Sequence, residues 1–237
     1  MKKIYLFVFV ICGAHLAVGQ PMTGPQLLEK SIAYHDPQGV WGAQKVKLQL
    51  KETRPDGGSR MTQLFLHPKE GSFVLEQTRG EDHLWRKVVG KTCEHRLNKS
   101  ATFSKDEARK HRLNCDHSQT IRGYYEYLWG LPMKLKDEGT IIEQSIQAVT
   151  FRGENLLALK VTYTEEVGKD IWYFYFDPHN YALRAYRFYH DEAVNDGEYI
   201  TLEGEERIGE IRYPKIRKWY VNKDDKYLGA DELMKVP

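Results

Sequence analysis

The chain has 237 residues, of which 41% are hydrophobic and 29% charged, and its formal net charge is +2. This composition is typical of a folded protein and too apolar for an intrinsically disordered one. The near-zero charge gives no electrostatic basis for nucleic-acid binding, and three cysteines are too few for a disulfide-stapled miniprotein. Length favours one large domain.

Residues 1–19 have the pattern of a secretory signal peptide. Two lysines precede a continuous apolar stretch at 4–11, and the small residues Ala17 and Gly19 stand where a signal peptidase would recognise them. We therefore expect an exported protein, periplasmic or extracellular, with no transmembrane span after processing. The remainder of the chain, residues 20–237, is expected to form a single domain.

A helix is predicted directly after the signal peptide. Thr23 is a suitable cap, Pro25 fits the first turn, and the Pro- and Gly-containing segment 35–39 ends the helix. Its apolar stripe has helical spacing and comprises Leu27, Leu28 and Ile32.

Strands are predicted next, separated by short turns. Val46, Leu48 and Leu50 alternate with polar residues, and the segment 55–58, Pro-Asp-Gly-Gly, is a strong hairpin signal. Further strands are predicted at 61–66, 73–78 and 84–89. Turns at such short intervals indicate an antiparallel meander.

The centre of the chain is predicted to be helical. Ser104 and Glu107 form a capping-box pattern that begins a short helix ending near Arg112. A second helix is predicted from Ser118 to Trp129, where the following Gly and Pro stop it.

The second half of the chain again predicts strands, at 157–163, 171–176, 183–189, 199–202, 205–212 and 217–221. Because helices do not alternate with strands, the fold class is α+β with one large antiparallel sheet. A sheet of about ten strands should curl. We therefore expect an open half-barrel whose concave face is covered by the helices.

Two Cys-x-His pairs stand out, at Cys93 with His95 and at Cys115 with His117. In an oxidising, exported compartment the two cysteines are expected to form a disulfide. A zinc site built from the same two thiolates and two imidazoles is the alternative, and the spacing does not match the usual ligand motifs. Apart from this alternative we predict no metal and no cofactor.

The sequence contains no catalytic motif that we can assign. It has no His-Glu-x-x-His, no Gly-x-Ser-x-Gly and no glycine-rich phosphate loop. No catalytic residues are therefore predicted, and an enzyme, which would be metal-dependent, is the weakest of the functional hypotheses.

Aromatic residues give the most informative pattern, because residues 171–176 are apolar or aromatic at every position. Such a strand needs cover on both faces. Burial in the core explains each aromatic residue singly, whereas together they are able to line a cavity for an apolar ligand. The candidate lining residues are Trp85, Tyr125, Trp129, Trp172, Phe174, Phe176, Tyr186 and Phe188.

Several segments resemble a family of exported bacterial proteins of unknown function. They are Ser-Ile-Ala-Tyr-His-Asp-Pro at 31–37, Tyr-Leu-Trp-Gly-Leu-Pro-Met-Lys-Leu-Lys-Asp at 127–137, Trp-Tyr-Phe-Tyr-Phe-Asp-Pro at 172–178, and the tail segments 197–200 and 227–231. That family is in turn loosely similar to the LolA/LolB lipoprotein-carrier superfamily. The resemblance implies an open antiparallel half-barrel, plugged by helices, that carries acyl chains.

Our leading hypothesis is therefore an exported protein that binds a lipid, an acyl chain or another apolar molecule between the curled sheet and its helices. The alternative is an interaction or sensor module that binds an envelope protein. The first predicts a retained small molecule, and the second predicts a polypeptide partner without one.

Overall fold

The computed structural model describes residues 21–234. The predicted signal peptide, residues 1–19, lies outside the described residues. The dominant feature is a sheet of twelve strands in the order β5-β4-β3-β2-β1-β12-β11-β10-β9-β8-β7-β6, every neighbouring pair being antiparallel. The predicted α+β class with one large antiparallel sheet is confirmed.

The strands are β1 (Val46–Thr53), β2 (Ser59–His67), β3 (Ser72–Arg79), β4 (Asp82–Val89), β5 (Thr92–Leu97), β6 (Thr140–Phe151), β7 (Glu154–Tyr163), β8 (Ile171–Phe176), β9 (Leu183–Tyr189), β10 (Glu198–Ile208), β11 (Ile211–Val221) and β12 (Tyr227–Met234). The helices are α1 (Gly24–His35), α2 (Lys105–Lys110) and α3 (Cys115–Gly130).

Two meanders meet through the pairing of β1 with β12, and the outer strands are β5 and β6. Within residues 21–234 these two outer strands do not pair with each other, so the sheet is an open half-barrel. The helices α2 and α3 connect the two outer strands along the chain.

Each helix begins at a residue that caps it. Thr23 and Gln26 form a capping box on α1, Ser104 and Glu107 form one on α2, and Asn114 caps α3. The long helices pack on the same face of the sheet, α1 mainly against β6 and β11 and α3 against β4 and β5. None of the helices between residues 21 and 234 combines the length and apolar composition that crossing a bilayer demands.

Three strands were absent from the sequence prediction. Strand β5 carries polar residues on both faces, and the outer strand β6 is mostly exposed. Neither strand therefore shows a clear alternation of apolar and polar residues. Strand β12 follows the predicted terminal turn and has Gly229 as its third residue. The predicted break between residues 202 and 205 was also wrong, because β10 continues to Ile208 and the turn lies at 209–210.

The concave face of the sheet has two ends of different character. Its closed end is fully packed under the helices, with inward residues that are at most 1% exposed, among them Leu48, Leu64, Phe73, Phe176 and Ile211. At its open end the same strands carry polar or aromatic inward residues, namely Glu52, Arg60, Arg79, Trp172, Phe188, Glu198, Trp219 and Asp231.

Candidate functional site

A cavity of about 920 Å³ occupies the open end of the concave face. It lies between α3 and the strands from β1 to β3 on one side and β8 to β12 on the other. We call it the main cavity. Its volume falls within the range of about 300–1,000 Å³ that is typical of small-molecule sites.

One wall of the main cavity is aromatic. Cross-strand pairing aligns Trp172 with Phe188, and Ile200 with both Tyr186 and Trp219. The rings of Trp172 and Phe188 are 4.9 Å apart between centroids, and those of Trp172 and Tyr186 are 6.3 Å apart. These side chains form a continuous apolar surface because paired residues share one face of an antiparallel sheet.

Helix α3 supplies the opposite wall through Tyr124, Tyr127 and Leu128. Their spacing of three and four residues places them on one helix face. The hydroxyl of Tyr127 lies 2.6 Å from that of Tyr163, and Arg217 donates a hydrogen bond of 2.9 Å to the carbonyl of Leu128. These contacts tie the helix to β7 and β11.

Glu52 is the centre of a polar network at the floor of the cavity. Its carboxylate accepts hydrogen bonds from Arg60 (2.9 Å from Nη2), Thr62 and the Tyr125 hydroxyl (3.0 Å). Burial raises the pKa of Glu52, but the hydrogen bonds and charge of Arg60, with the other donors, outweigh burial and hold that pKa below its ordinary value. Glu52 is therefore an ionised, saturated acceptor.

Asp231 lies beside this network and behaves differently. It faces Glu52 across the β1–β12 pair and Arg217 across the β11–β12 pair. Burial, followed by repulsion from Glu52, raises the pKa of Asp231 to about 7. The cavity therefore contains a carboxyl group that is partly protonated near neutral pH.

A second pocket, of about 220 Å³, adjoins the main cavity beneath the first half of α3. Both spaces are lined by Arg60, Arg79 and Tyr124. Arg86 and His117 line the second pocket but not the main cavity. We call this space the arginine pocket.

The opposite rim of the main cavity is acidic. His190 lies 2.7 Å from Asp170 through Nδ1 and Oδ1, and this hydrogen bond and the negative charge of Asp170 raise the pKa of His190. Burial raises the pKa of the neighbouring Glu198. These groups lie on or beside strands β8 to β10, whereas the arginines lie on β2 to β4.

The structure distributes the eight aromatic residues of the sequence prediction over several places. Three line the main cavity: Trp172, Tyr186 and Phe188. Tyr125 lines the arginine pocket, and Trp129, Phe174 and Phe176 are buried in the core. Trp85 lies on the convex face, where the Arg96 guanidinium stacks 4.7 Å from its ring.

The sequence analysis missed several cavity residues that carry a recognisable signal. In β1 the inward positions Val46, Leu48 and Leu50 are followed by Glu52, and in β2 Arg60 precedes inward Leu64. A charged residue at an inward position of an alternating strand is costly unless it is partnered. Such positions mark the place where the core gives way to a site.

The structure joins Cys93 and Cys115, with Cα atoms 5.5 Å apart. This is the pair favoured from the sequence, and the bond links β5 to the first residue of α3. His95 Nε2 lies 2.8 Å from the hydroxyl of Ser118. With both thiols in the bond, the alternative set of two thiolates and two imidazoles is not available to zinc.

His35, from the segment 31–37, has a structural role. Its ring lies 2.9 Å from the Arg212 carbonyl through Nδ1 and accepts a hydrogen bond of 3.0 Å from the Leu183 main-chain N–H at Nε2. The adjoining Asp36 accepts hydrogen bonds from the main-chain N–H groups of Val40 and Trp41. The segment therefore ties the end of α1 to β9 and β11.

Comparison with known proteins gives a family match over nearly the whole sequence. The model of a family of unknown function, DUF6503, matches residues 2–235. No curated protein matches the chain.

Among solved structures, the chain is similar to a LolA superfamily protein from Nitrosomonas europaea, at 12% identity and a TM-score of 0.51, covering 92% of this chain and 96% of that one. It also matches a domain assigned to outer membrane lipoprotein sorting from Vibrio parahaemolyticus, at 9% identity and a TM-score of 0.48, covering 89% of this chain and 88% of that one. The first of these likenesses shows that the fold is LolA-like.

Proposed function

Because the chain belongs to the DUF6503 family of unknown function and has a LolA-like fold, we propose that it is an exported binding protein that holds a lipid, an acyl chain or another apolar ligand. The observation that carries the proposal is the main cavity of about 920 Å³ between α3 and the sheet. The signal-peptide pattern at residues 1–19 supports export to the periplasm or the exterior.

The aromatic wall is the source of the binding free energy. A chain lying along Trp172, Phe188 and Trp219 would bury methylene groups at about 0.8 kcal/mol each. Flat, rigid rings supply this contact area at a small cost in side-chain entropy. The helix wall formed by Tyr124, Tyr127 and Leu128 would close on the other side of the chain.

Release of the ligand would occur at the open end of the cavity. Tyr124 is 46% exposed although it faces the cavity, because the space in front of its ring is open. The closed end of the concave face is packed with fully buried side chains and offers no second exit there. Ligand would therefore enter and leave beside Tyr124 without unfolding the core.

Binding of an environment-sensitive fluorescent fatty acid tests this function. We expect a saturable site of one probe per protein molecule at micromolar protein, and a ligand adduct in native mass spectra of protein purified without detergent. A bare polypeptide that binds no probe would contradict the proposal and favour a module that binds an envelope protein.

A variant that fills the main cavity tests whether the fluorescent probe binds there. Leu228→Trp places a large ring in the main cavity, which Leu228 lines, and should lower probe affinity about tenfold or more. The matched control is Val194→Trp, which adds the same ring where the side chain is 60% exposed. Equal effects of the two variants would show that the probe binds elsewhere.

A further inference from the structure

The arginine pocket is distinguished from the main cavity by the balance of its charges. Of its three arginines, Arg60 is paired with Glu52 through two hydrogen bonds. Glu52 also accepts from Thr62 and Tyr125, so it has little remaining capacity to neutralise another cation. The other two arginines have different surroundings.

Arg79 has no carboxylate partner among residues 21–234. Its hydrogen bond, of 2.8 Å, goes to the amide oxygen of Gln77, a neutral group. The carboxylate directly opposite on β4 is Asp82, which instead pairs with Lys110 and His111 at 3.2 and 3.3 Å. The guanidinium of Arg79 therefore lies at the wall of the pocket, partly in contact with solvent and without a carboxylate in hydrogen-bond contact in the described chain.

Arg86 is the third arginine, and it is only 2% exposed. Its hydrogen bonds go to the carbonyl oxygens of His111 and Arg112 and to the hydroxyl of Ser118, all neutral acceptors. Burial, followed by the nearby charge of Arg79, lowers the pKa of Arg86 to about 10. Arg86 therefore remains a cation at neutral pH in a poorly solvated place.

We propose that the arginine pocket binds the anionic head group, a carboxylate or a phosphate, of an amphipathic ligand whose apolar chain lies along the aromatic wall of the main cavity. The inference rests on the proposed function. Guanidinium groups form strong, charge-assisted hydrogen bonds with both kinds of anion. Arg79 is the group best placed to do so, because it lines both spaces and has no carboxylate partner in the described chain.

The acidic groups of the main cavity give the ligand one orientation. Glu198 and Asp231 line the main cavity and are absent from the arginine pocket. Glu198 lies on β10, at the far side of the concave face from β3. His190 on the same side is already paired with Asp170. An anionic head is therefore attracted to Arg79 rather than to that side, and the chain extends from the pocket toward Trp172 and Phe188.

The pKa of His117, measured by NMR, would report whether an anion occupies the arginine pocket. Burial, followed by the positive charges of Arg86, Arg112 and Arg79, lowers the pKa of His117. An anion bound beside these arginines would cancel part of that repulsion and raise the pKa of His117 again. An uncharged ligand in the main cavity would leave it unchanged.

Three ligands of equal chain length test the proposal by titration calorimetry: dodecanoic acid, dodecyl phosphate and dodecan-1-ol. We expect the acid or the phosphate to bind about tenfold or more tightly than the alcohol at pH 8, since charge-assisted hydrogen bonds are the stronger kind. Whichever anion binds more tightly identifies the head group. The tighter anion should also raise the pKa of His117 in an NMR titration.

The variant Arg79→Gln should remove most of the preference for the anion while leaving alcohol affinity within about twofold. The control is Arg207→Gln, which removes an exposed arginine that lines neither the main cavity nor the arginine pocket, and the preference should persist. Equal affinity of the wild type for acid, phosphate and alcohol would overturn this inference while the proposed function stands. Failure of all three ligands to bind would overturn both.

Discussion

The two ends of the concave face are built from the same strands, yet their inward residues differ. On β8, Phe176 at the closed end is fully buried, whereas Trp172 at the open end lines the main cavity. On β1, inward Leu50 is followed by inward Glu52. The inward side chains change from apolar to polar or aromatic at about the same level along neighbouring strands. The change occurs there because the packed core ends and the main cavity begins. A packed core and an open cavity thereby occupy separate parts of each strand.

The sharpest test of this separation truncates one phenylalanine at each end. Phe176→Ala at the closed end should lower the free energy of unfolding by about 4 kcal/mol, because it leaves a cavity in a packed core. Phe188→Ala at the open end removes a half-buried ring that already borders empty space, and should cost about 1 kcal/mol. Urea denaturation measures both.

Ligand affinity should show the opposite order. Phe188→Ala should weaken binding of the fluorescent fatty acid about tenfold, and folded Phe176→Ala should bind as the wild type does. If both variants lost stability and affinity in parallel, the two ends would form one cooperative unit and the comparison would fail.

The disulfide between Cys93 and Cys115 fixes the start of α3 to the outer strand β5, on the side of the arginine pocket. It joins residues separated by 22 positions. Its loss in the double variant Cys93→Ser/Cys115→Ser should lower the free energy of unfolding by about 3 kcal/mol, since a loop of this length is no longer constrained in the unfolded chain.

Reducing agent supplies the control for this variant. It should destabilise the wild type to the level of the double variant and leave the double variant unchanged. Two titratable free thiols in the untreated, denatured protein would show that the bond is absent.

Two glycines in α3 allow a smaller and more local comparison. A Cβ at Gly130 would lie 2.5 Å from the ring of Trp41, whereas one at Gly123 would meet nothing within 4 Å. We expect Gly130→Ala to cost about 2 kcal/mol through overpacking, and Gly123→Ala to stabilise the protein by about 0.5–1 kcal/mol through helix propensity.

The same thermal or urea measurement tests both glycine variants. Equal effects would mean that helix propensity, rather than the contact with Trp41, decides the outcome at the end of α3.

A pH dependence as small as the Gly123→Ala effect arises at the open end. Because the pKa of Asp231 is raised to about 7 in the folded protein from an ordinary 3.8, the folded state retains its proton where the unfolded state has lost it. The stabilisation is present below the ordinary pKa and is lost as the pH rises through 7. Because the cavity is open to solvent, we expect on the order of 1 kcal/mol.

The difference in unfolding free energy between wild type and Asp231→Asn should therefore fall as the pH is raised from 4 to 8. Asp106→Asn, at a 91% exposed carboxylate, is the control and should give a small, nearly constant difference. A constant difference for Asp231→Asn would show that this carboxyl titrates normally.

The sequence alone determined the features that depend on near neighbours in the chain. Thr23 and Ser104 are recognisable helix caps, because their side-chain oxygens accept hydrogen bonds from main-chain N–H groups of the first turn, and Glu107 completes the capping box by accepting from the Ser104 N–H. Alternation in β1 and the turn at 55–58 predicted the antiparallel meander. The pairing of Cys93 with Cys115 was predicted from the small number of cysteines and from the expected export of the chain.

Only the tertiary structure decided where the site lies, because its residues come from distant segments. Glu52, Tyr124, Phe188 and Asp231 have no sequence proximity and meet through the pairing of β1 with β12 and the packing of α3. Composition likewise could not separate Phe176 from Phe188, since burial depends on whether a helix covers that part of the strand. Local patterns specify elements, whereas a cavity is defined by the space that those elements leave unfilled.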